Sequence, residues 1–241
     1  MSEDNMKDKT ALITGGTKGI GYGIAEVLLA QGFRVAITGR DAETATDSAE
    51  KLTAAAPGKA IGIKADVRKM ADMEAAVKET LHQFGSLDLV VANAGLGHFG
   101  NIEDITEEQW HQTIDTNLTG VFNTVKASIA PLKASKGLIV TISSLAGTNF
   151  FAGGAAYNAS KFGLTGFTQA VMLDLRKSGV RVSTIMPGSV TSHFAGHTPN
   201  PDDAWKIQPE DIGHMVLNLM RMDPRTLPSK IEVRPSMPPS K

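Results

Sequence analysis

Residues 10–21 read TALITGGTKGIG. A short run of apolar and β-branched residues reaches Thr14 and meets a glycine-rich turn. Helix-forming residues follow the turn. Beside Gly16, the glycines at Gly15, Gly19 and Gly21 form a Gly-x-x-x-Gly-x-Gly spacing in which each has a separate task. Gly15 permits the tight turn off the strand, Gly19 lets the backbone approach a phosphate, and Gly21 lets the helix lie close to the sheet. A helix starting here presents free N–H groups and the positive end of its dipole, which suits an anion. By itself such a turn also fits a strand–helix connection without a ligand, so the rest of the chain decides.

Working outward, short apolar runs alternate with longer helical patterns. Strands are predicted at 10–14, 33–38, 59–64, 87–92, 137–143, 180–186 and 230–234. Helices are predicted near 19–31, 42–55, 70–84, 106–132, 155–177 and 209–222. Strands that are apolar nearly throughout belong in a parallel sheet covered on both faces. Right-handed crossovers then give a doubly wound sheet. The expected fold class is α/β: a single-domain, Rossmann-like, doubly wound parallel sheet of about seven strands with helices on both faces.

The bulk composition excludes more than it assigns. The chain has 241 residues, enough for one sizeable α/β domain. Lys and Arg number 24 against 25 Asp and Glu, so nothing in the charge balance points to nucleic acid or an anionic membrane as partner. There is no cysteine, which removes disulfides, thiolate catalysis and cysteine-ligated zinc. No run approaches the roughly 18 apolar residues of a membrane span. The polar start MSEDNMKDK does not resemble a signal peptide, so the expected location is cytoplasmic.

Chemistry enters with Tyr157 and Lys161. They are four apart on a predicted helix and share a face. A free tyrosine has a pKa near 10 and is a poor base at neutral pH; a nearby ammonium favours the phenolate and is expected to lower it. Tyr157 would then exchange a proton with a substrate oxygen. Ser144, at a strand end, can donate a hydrogen bond to the same oxygen.

Thr14-Gly15-x-x-x-Gly19-Ile20-Gly21, Asn93-Ala94-Gly95, Asn117, Ser144, Tyr157-x-x-x-Lys161 and Pro187-Gly188 stand in an order and spacing that resemble the short-chain dehydrogenase/reductase family, from residue 10 to about 191. The resemblance implies a catalytic set of Asn117, Ser144, Tyr157 and Lys161. It selects Ser144 over Ser143, thirteen residues before the tyrosine. It also implies that Lys161 binds the nicotinamide ribose and that Asn117 holds a water linking Lys161 to solvent, although an asparagine there can also cap or break a helix. Asn93, Ala94 and Gly95 resemble a wall of the cofactor cleft. Asp66 and Val67 resemble the pair that contacts adenine. Gly15, Thr17, Lys18, Gly19, Ile20, Gly21, Arg40, Pro187, Gly188, Val190 and Thr191, with Tyr157 and Lys161, complete the implied cofactor site. Alanine at position 92, where the family often has asparagine, is a mild departure.

The cofactor implied is NADP(H). NAD-preferring folds usually end the second strand on an acid that binds the ribose hydroxyls. Here that strand ends Thr38-Gly39-Arg40, and Lys18 approaches from the glycine turn. Two cations without a carboxylate suit a 2′-phosphate. Asp41 is expected to turn away and start the next helix.

The chain is thus expected to be one dinucleotide-binding catalytic domain over 1–241. A substrate loop would span about 187–208, and a C-terminal strand and proline-rich tail about 229–241. Gly188, Gly196, Pro199 and Pro201 oppose a long helix in that loop. The expected activity is NADP(H)-dependent hydride transfer between nicotinamide and a small carbonyl or secondary alcohol. The alternatives are a 3-oxoacyl thioester reductase and, in another class, a non-catalytic nucleotide sensor on the same fold. No metal is expected: His193 and His197 are four apart, but Gly196 and Pro199 oppose the helix that would pair them. His98, and the aromatic Phe150, Phe151, Phe194 and Trp205, fit either a substrate wall or ordinary packing. The apolar residues of helix 155–177 extend around more than one face, so a partner subunit is expected to cover what the sheet does not, giving a homodimer or homotetramer.

Overall fold

The computed structural model describes residues 6–237. Seven strands form one sheet in the order β3-β2-β1-β4-β5-β6-β7. They are β1 Thr10–Thr14, β2 Arg34–Gly39, β3 Lys59–Lys64, β4 Leu89–Ala92, β5 Leu138–Ile142, β6 Arg181–Pro187 and β7 Lys230–Val233. Every neighbouring pair is parallel. The helices are α1 Gly19–Ala30, α2 Ala42–Ala55, α3 Met70–Phe84, α4 Glu107–Ile114, α5 Gly120–Ser135, α6 Ala155–Leu175 and α7 Pro209–Arg221. The strand order reverses direction between β1 and β4, and a crevice opens beyond the strand ends at such a switch point.

Strand periodicity sorts the core into two layers. Successive strand residues point to opposite faces. Ile13, Ile37, Val91 and Val140 pack under α1, α2 and α7, together with Ile24, Leu28, Leu52 and Val216. Their chain neighbours Leu12, Ala36, Val90 and Ile139 face the other side, with Val77 of α3, Val125 and Leu132 of α5 and Leu164 of α6. Each such valine, leucine or isoleucine side chain contributes about 1.5–3 kcal/mol on burial. A one-residue slip would exchange the two layers, so the pattern pins the register.

β1 and β3 have the predicted bounds, and the ends of the other five strands differ from the sequence reading by at most two residues. The predicted helix 106–132 differs more. It is α4 and α5 joined by a π turn, Asp115–Thr119, and it continues through Pro131 to Ser135. Lys136 then adopts φ 50° and its N–H reaches the Leu132 carbonyl, which ends the helix. Between β6 and α7 only two short 3₁₀ turns occur, Phe194–Gly196 and Pro201–Trp205, so no long helix crosses 191–205. Val190 pairs with Ile207, closing the loop on itself. Of the proline-rich tail, residues 238–241 lie outside the described residues.

Candidate active site

At the ends of β1, β2, β4, β5 and β6 the crevice encloses about 550 Å³. Its floor is the glycine turn. Gly15 and Gly19 have φ of 65° and 58°, a region that glycine enters without a Cβ penalty. A Cβ on Gly21 would lie 2.5 Å from the Gly15 carbonyl oxygen and from Asn93 Nδ2, so only glycine lets α1 start this close to β4. Asp41 caps α2 and Thr106 caps α4, but no side chain caps α1. The first N–H groups of α1 are therefore left for an anion.

One end of the crevice is cationic. Arg40 and Lys18 are exposed, line the cleft and form no ion pair among the described residues. Asp41 turns into α2, where its carboxylate accepts from the Thr44 N–H at 2.8 Å and the Thr44 hydroxyl at 2.7 Å. Those bonds hold its pKa below the ordinary value. Asp66 accepts from Arg68 Nε at 2.9 Å, and this bond, with a smaller push from Arg40, lowers its pKa. Arg68 also lines the cleft, and the sequence reading passed over it. Its signal was a cation two residues after Asp66. Val67 is buried and its carbonyl accepts from Asn123 Nδ2 at 2.9 Å, which fixes this wall to α5.

The middle wall follows β4. Asn93 Nδ2 donates to the carbonyls of Thr14 and Gly15 at 2.9 and 3.1 Å, tying the β4 end to the glycine turn. Ala94 and Gly95 line the cleft beside it. Asn117 lies on the π turn, fully buried. It accepts from the Leu96 N–H at 2.9 Å and donates to the Leu96 carbonyl at 2.8 Å and to Ser160 Oγ at 3.0 Å. Both its N–H donors thus have protein partners, and a water would find only the remaining carbonyl lone pair.

The far end holds Ser144, Tyr157 and Lys161, all in the cleft wall. Ser143 also borders the crevice but is buried, with its hydroxyl engaged by Thr165 Oγ1 at 3.2 Å. The Ser144 hydroxyl accepts from the Ala146 N–H at 3.1 Å and donates to the Pro187 carbonyl at 3.5 Å, and it lies near enough to the Tyr157 phenol to influence its pKa. Lys161 is buried; its Nζ donates to the Ile142 carbonyl at 3.0 Å and lies 5.7 Å from the Tyr157 ring centroid. Burial lowers its pKa to about 8. Burial also raises the Tyr157 pKa, with Ser144 pulling it partly back. This corrects the expected lowering of Tyr157 by Lys161: desolvation of the phenol dominates, and the opposing pull comes from Ser144.

The remaining side is the loop after β6. Pro187, Gly188 and Val190 line the cleft, as do Ser189, Ser192, His193, Phe194, His197 and Lys206. Thr191 turns inward, with its hydroxyl donating to the Asp203 carbonyl at 3.2 Å. Thr17 and Ile20 line the cleft, whereas Gly19, Gly21, Asn117 and Thr191 stand behind the lining. Asp203, buried beneath the loop, binds His197 Nε2 at 2.6 Å and pairs with Lys206. Lys206 first and His197 second hold its carboxyl well below the usual carboxylate range. The sequence reading missed Asp203, though Asn200-Pro-Asp-Asp203 is a capping-box pattern that the structure forms. His98 is bonded to Gln112 at 2.9 Å and lies outside the cleft lining.

A parallel sheet with a glycine turn at its switch point defines a dinucleotide-binding architecture. Residues 9–202 match the family model described as short chain dehydrogenase, and the chain belongs to that family. It is 35% identical over 200 residues to a 3-oxoacyl-[acyl-carrier-protein] reductase of Chlamydia muridarum, a match covering 82% of this chain and 81% of that protein. It is 37% identical over 192 residues to the trans-4-hydroxycyclohexanecarboxylate dehydrogenase of Sinomonas cyclohexanicum, covering 78% of this chain and 74% of that one. Among solved structures, an alcohol dehydrogenase of the archaeon Thermococcus sibiricus complexed with 5-hydroxy-NADP superposes with a TM-score of 0.89 at 29% identity, covering 97% of this chain and 99% of that one. The chain is therefore an oxidoreductase of the short-chain dehydrogenase type. Among the described residues no helix is long and apolar enough to cross a membrane.

Proposed function

We propose that the protein is an NADP(H)-dependent oxidoreductase acting on a small carbonyl or the corresponding secondary alcohol. One observation carries this reading: Ser144, Tyr157 and Lys161 converge on a crevice whose opposite end is the uncapped start of α1 with Arg40 and Lys18. The crevice fits a dinucleotide in chemistry as well as shape. Unassigned N–H groups and two unpaired cations meet phosphates at one end, and the glycines leave backbone rather than side chains along the floor. Gly15, Thr17, Ile20, Asn93, Ala94, Gly95, Asp66 and Val67 would hold the dinucleotide, with Pro187, Gly188 and Val190 closing over it.

When bound, the nicotinamide supplies or accepts the hydride. The protein's own residues manage the oxygen. Ser144 donates a hydrogen bond to the carbonyl oxygen, and Tyr157 Oη gives that oxygen its proton as the carbon is reduced. Burial keeps Tyr157 protonated at neutral pH, which suits the reductive direction. Lys161, in the same wall, holds the ribose side of the cleft. Asn117, pinned to Leu96 and Ser160, keeps the β4 loop against α6.

Cofactor choice follows from Gly39 and Arg40. No carboxylate stands at Gly39 to meet ribose hydroxyls, and Asp41 is occupied by Thr44. A charge-assisted hydrogen bond contributes about 1.5–3 kcal/mol, so Arg40→Ala should weaken NADPH about ten- to a hundredfold and NADH far less. Calorimetric titration of both cofactors measures this. Preference for NADH in the wild type, or equal losses for both cofactors in the variant, contradicts it. The same protein tested on a carbonyl panel that includes a 3-oxoacyl thioester separates the readings of activity. Consumption of NADPH by the thioester alone favours the acyl reductase reading, which the Chlamydia relative supports. Tight NADPH binding with no carbonyl consumed leaves the sensor.

A further inference from the structure

Phenylalanines surround Tyr157. The Phe99 ring meets it edge-on at 5.3 Å between centroids, and Phe194 lies 5.5 Å away at an interplanar angle of 57°. Phe99 and Phe194 are themselves 6.1 Å apart. Phe151 extends the strip outward, 6.0 Å from Phe99. These rings come from three separate loops, which follow β4, β5 and β6. Such spacings are those of favourable aromatic pairs.

Two features show that the cluster is built rather than incidental. Gly97 has no unusual φ, yet a Cβ there would lie 2.7 Å from the Phe194 ring and 2.8 Å from that of Phe99. Its glycine therefore makes room for the two rings. Ala195 has φ 52°, a left-handed conformation that costs a residue with a Cβ roughly 1 kcal/mol or more. That turn follows Phe194 directly and sets the ring against Tyr157. Meanwhile Phe99 is 45% and Phe151 48% exposed, so an apolar strip leads from solvent to the phenol. Exposed apolar strips of this kind mark binding surfaces.

We propose that Phe99 and Phe194 are specificity-determining residues that select a carbonyl carried directly on a ring, aryl or alicyclic, over an open-chain ketone. This rests on the proposed role of Tyr157. A flat ring packs on the phenylalanine faces while its carbonyl points at Tyr157 and Ser144. It enters with few rotors to freeze, whereas an alkyl chain of equal carbon number must be ordered bond by bond.

Acetophenone and 2-octanone, with eight carbons each, form the test pair, since burial alone favours the octanone. The wild type should show kcat/KM about tenfold or more higher for acetophenone. Phe99→Ala and Phe194→Ala should erase that ratio mainly through KM, and Phe194→Leu should retain part of it. A wild-type ratio at or below one, or a ratio unchanged in both alanine variants, overturns the proposal. Saturation-transfer NMR of the two ketones with the NADPH-loaded protein gives a second readout. Acetophenone binding that weakens about tenfold in Phe99→Ala supports the aromatic wall even where no turnover is seen, in which case it is the hydride-transfer reading that fails. Equal binding of the two ketones overturns the wall.

Discussion

Lys161 is charged at neutral pH, buried, and hydrogen-bonded to the Ile142 carbonyl. Its pKa, lowered to about 8, means that folding disfavours the ammonium relative to the unfolded chain. The sign follows from linkage. Below pH 8 the lysine is protonated in both states and the burial cost is fully present. Between about 8 and the ordinary value near 10.4 the folded state releases a proton that the unfolded state keeps, so stability rises with pH. Lys161→Met should therefore stabilise the cofactor-free protein at pH 7 by about 1–3 kcal/mol, the lower end reflecting the lost bond to Ile142. The gain should shrink as pH rises from 8 to 10, while activity is lost throughout. Denaturant unfolding at pH 7 and 10 measures it; a variant less stable than the wild type at pH 7 contradicts the account. The same residue shows what spacing alone conceals. That Tyr157 and Lys161 share a face was legible from their separation of four. That burial would raise the phenol's pKa was not, because burial depends on Phe99 and Phe194 arriving from distant loops. The sequence reading weighed Phe151 and Phe194 as wall residues but not Phe99.

At the scale of elements, the turn from β1 into α1 is the feature most completely written in the sequence, since three glycines within seven residues have tasks that no other residue performs. A Cβ at Gly21 meets a backbone carbonyl and a hydrogen-bonded asparagine, neither of which is the free end of a flexible side chain. Gly21→Ala should accordingly push α1 away from Asn93, cost about 1–3 kcal/mol as an overpacked contact, and weaken NADPH binding as the N–H groups move. Thermal unfolding and cofactor titration on one sample test both effects, and a variant with unchanged Tm and Kd refutes the close-approach argument. The helix containing Asn117 was less legible. Its π turn and its extension past residue 132 to Ser135 depend on tertiary partners, Leu96 and Ser160 on one side and α3 on the other, which local propensity does not encode.

For the molecule as a whole, the sheet order and two-layered core follow from alternation that any single strand displays, so fold class was readable from end to end. The surface was readable in part. Helix α6 is apolar beyond what the sheet covers, and Phe162 and Leu173 remain 43% and 54% exposed, with Phe122 of α5 at 44%. Phe122 packs edge-on against Phe167 of α6 at 6.4 Å, so α5 and α6 present one continuous apolar face. We propose that a second copy covers it, giving at least a two-fold dimer. Light scattering at micromolar concentration should report a dimer or tetramer, and Phe162→Asp should shift it toward monomer; a monomeric wild type contradicts this. The stretch of about 187–208 was legible as a substrate loop without a long helix, but its anchor on Asp203 became visible only once His197 and Lys206 were placed around it. The central claim is that Tyr157 transfers the proton in a crevice that binds NADP(H). The measurement that tests it most directly is single-turnover consumption of NADPH with a reducible ketone by the wild type and by Tyr157→Phe, with cofactor affinity titrated on the same samples. The account predicts a rate lower by at least about a hundredfold in the variant with NADPH affinity nearly unchanged; a variant that turns over at the wild-type rate would contradict it.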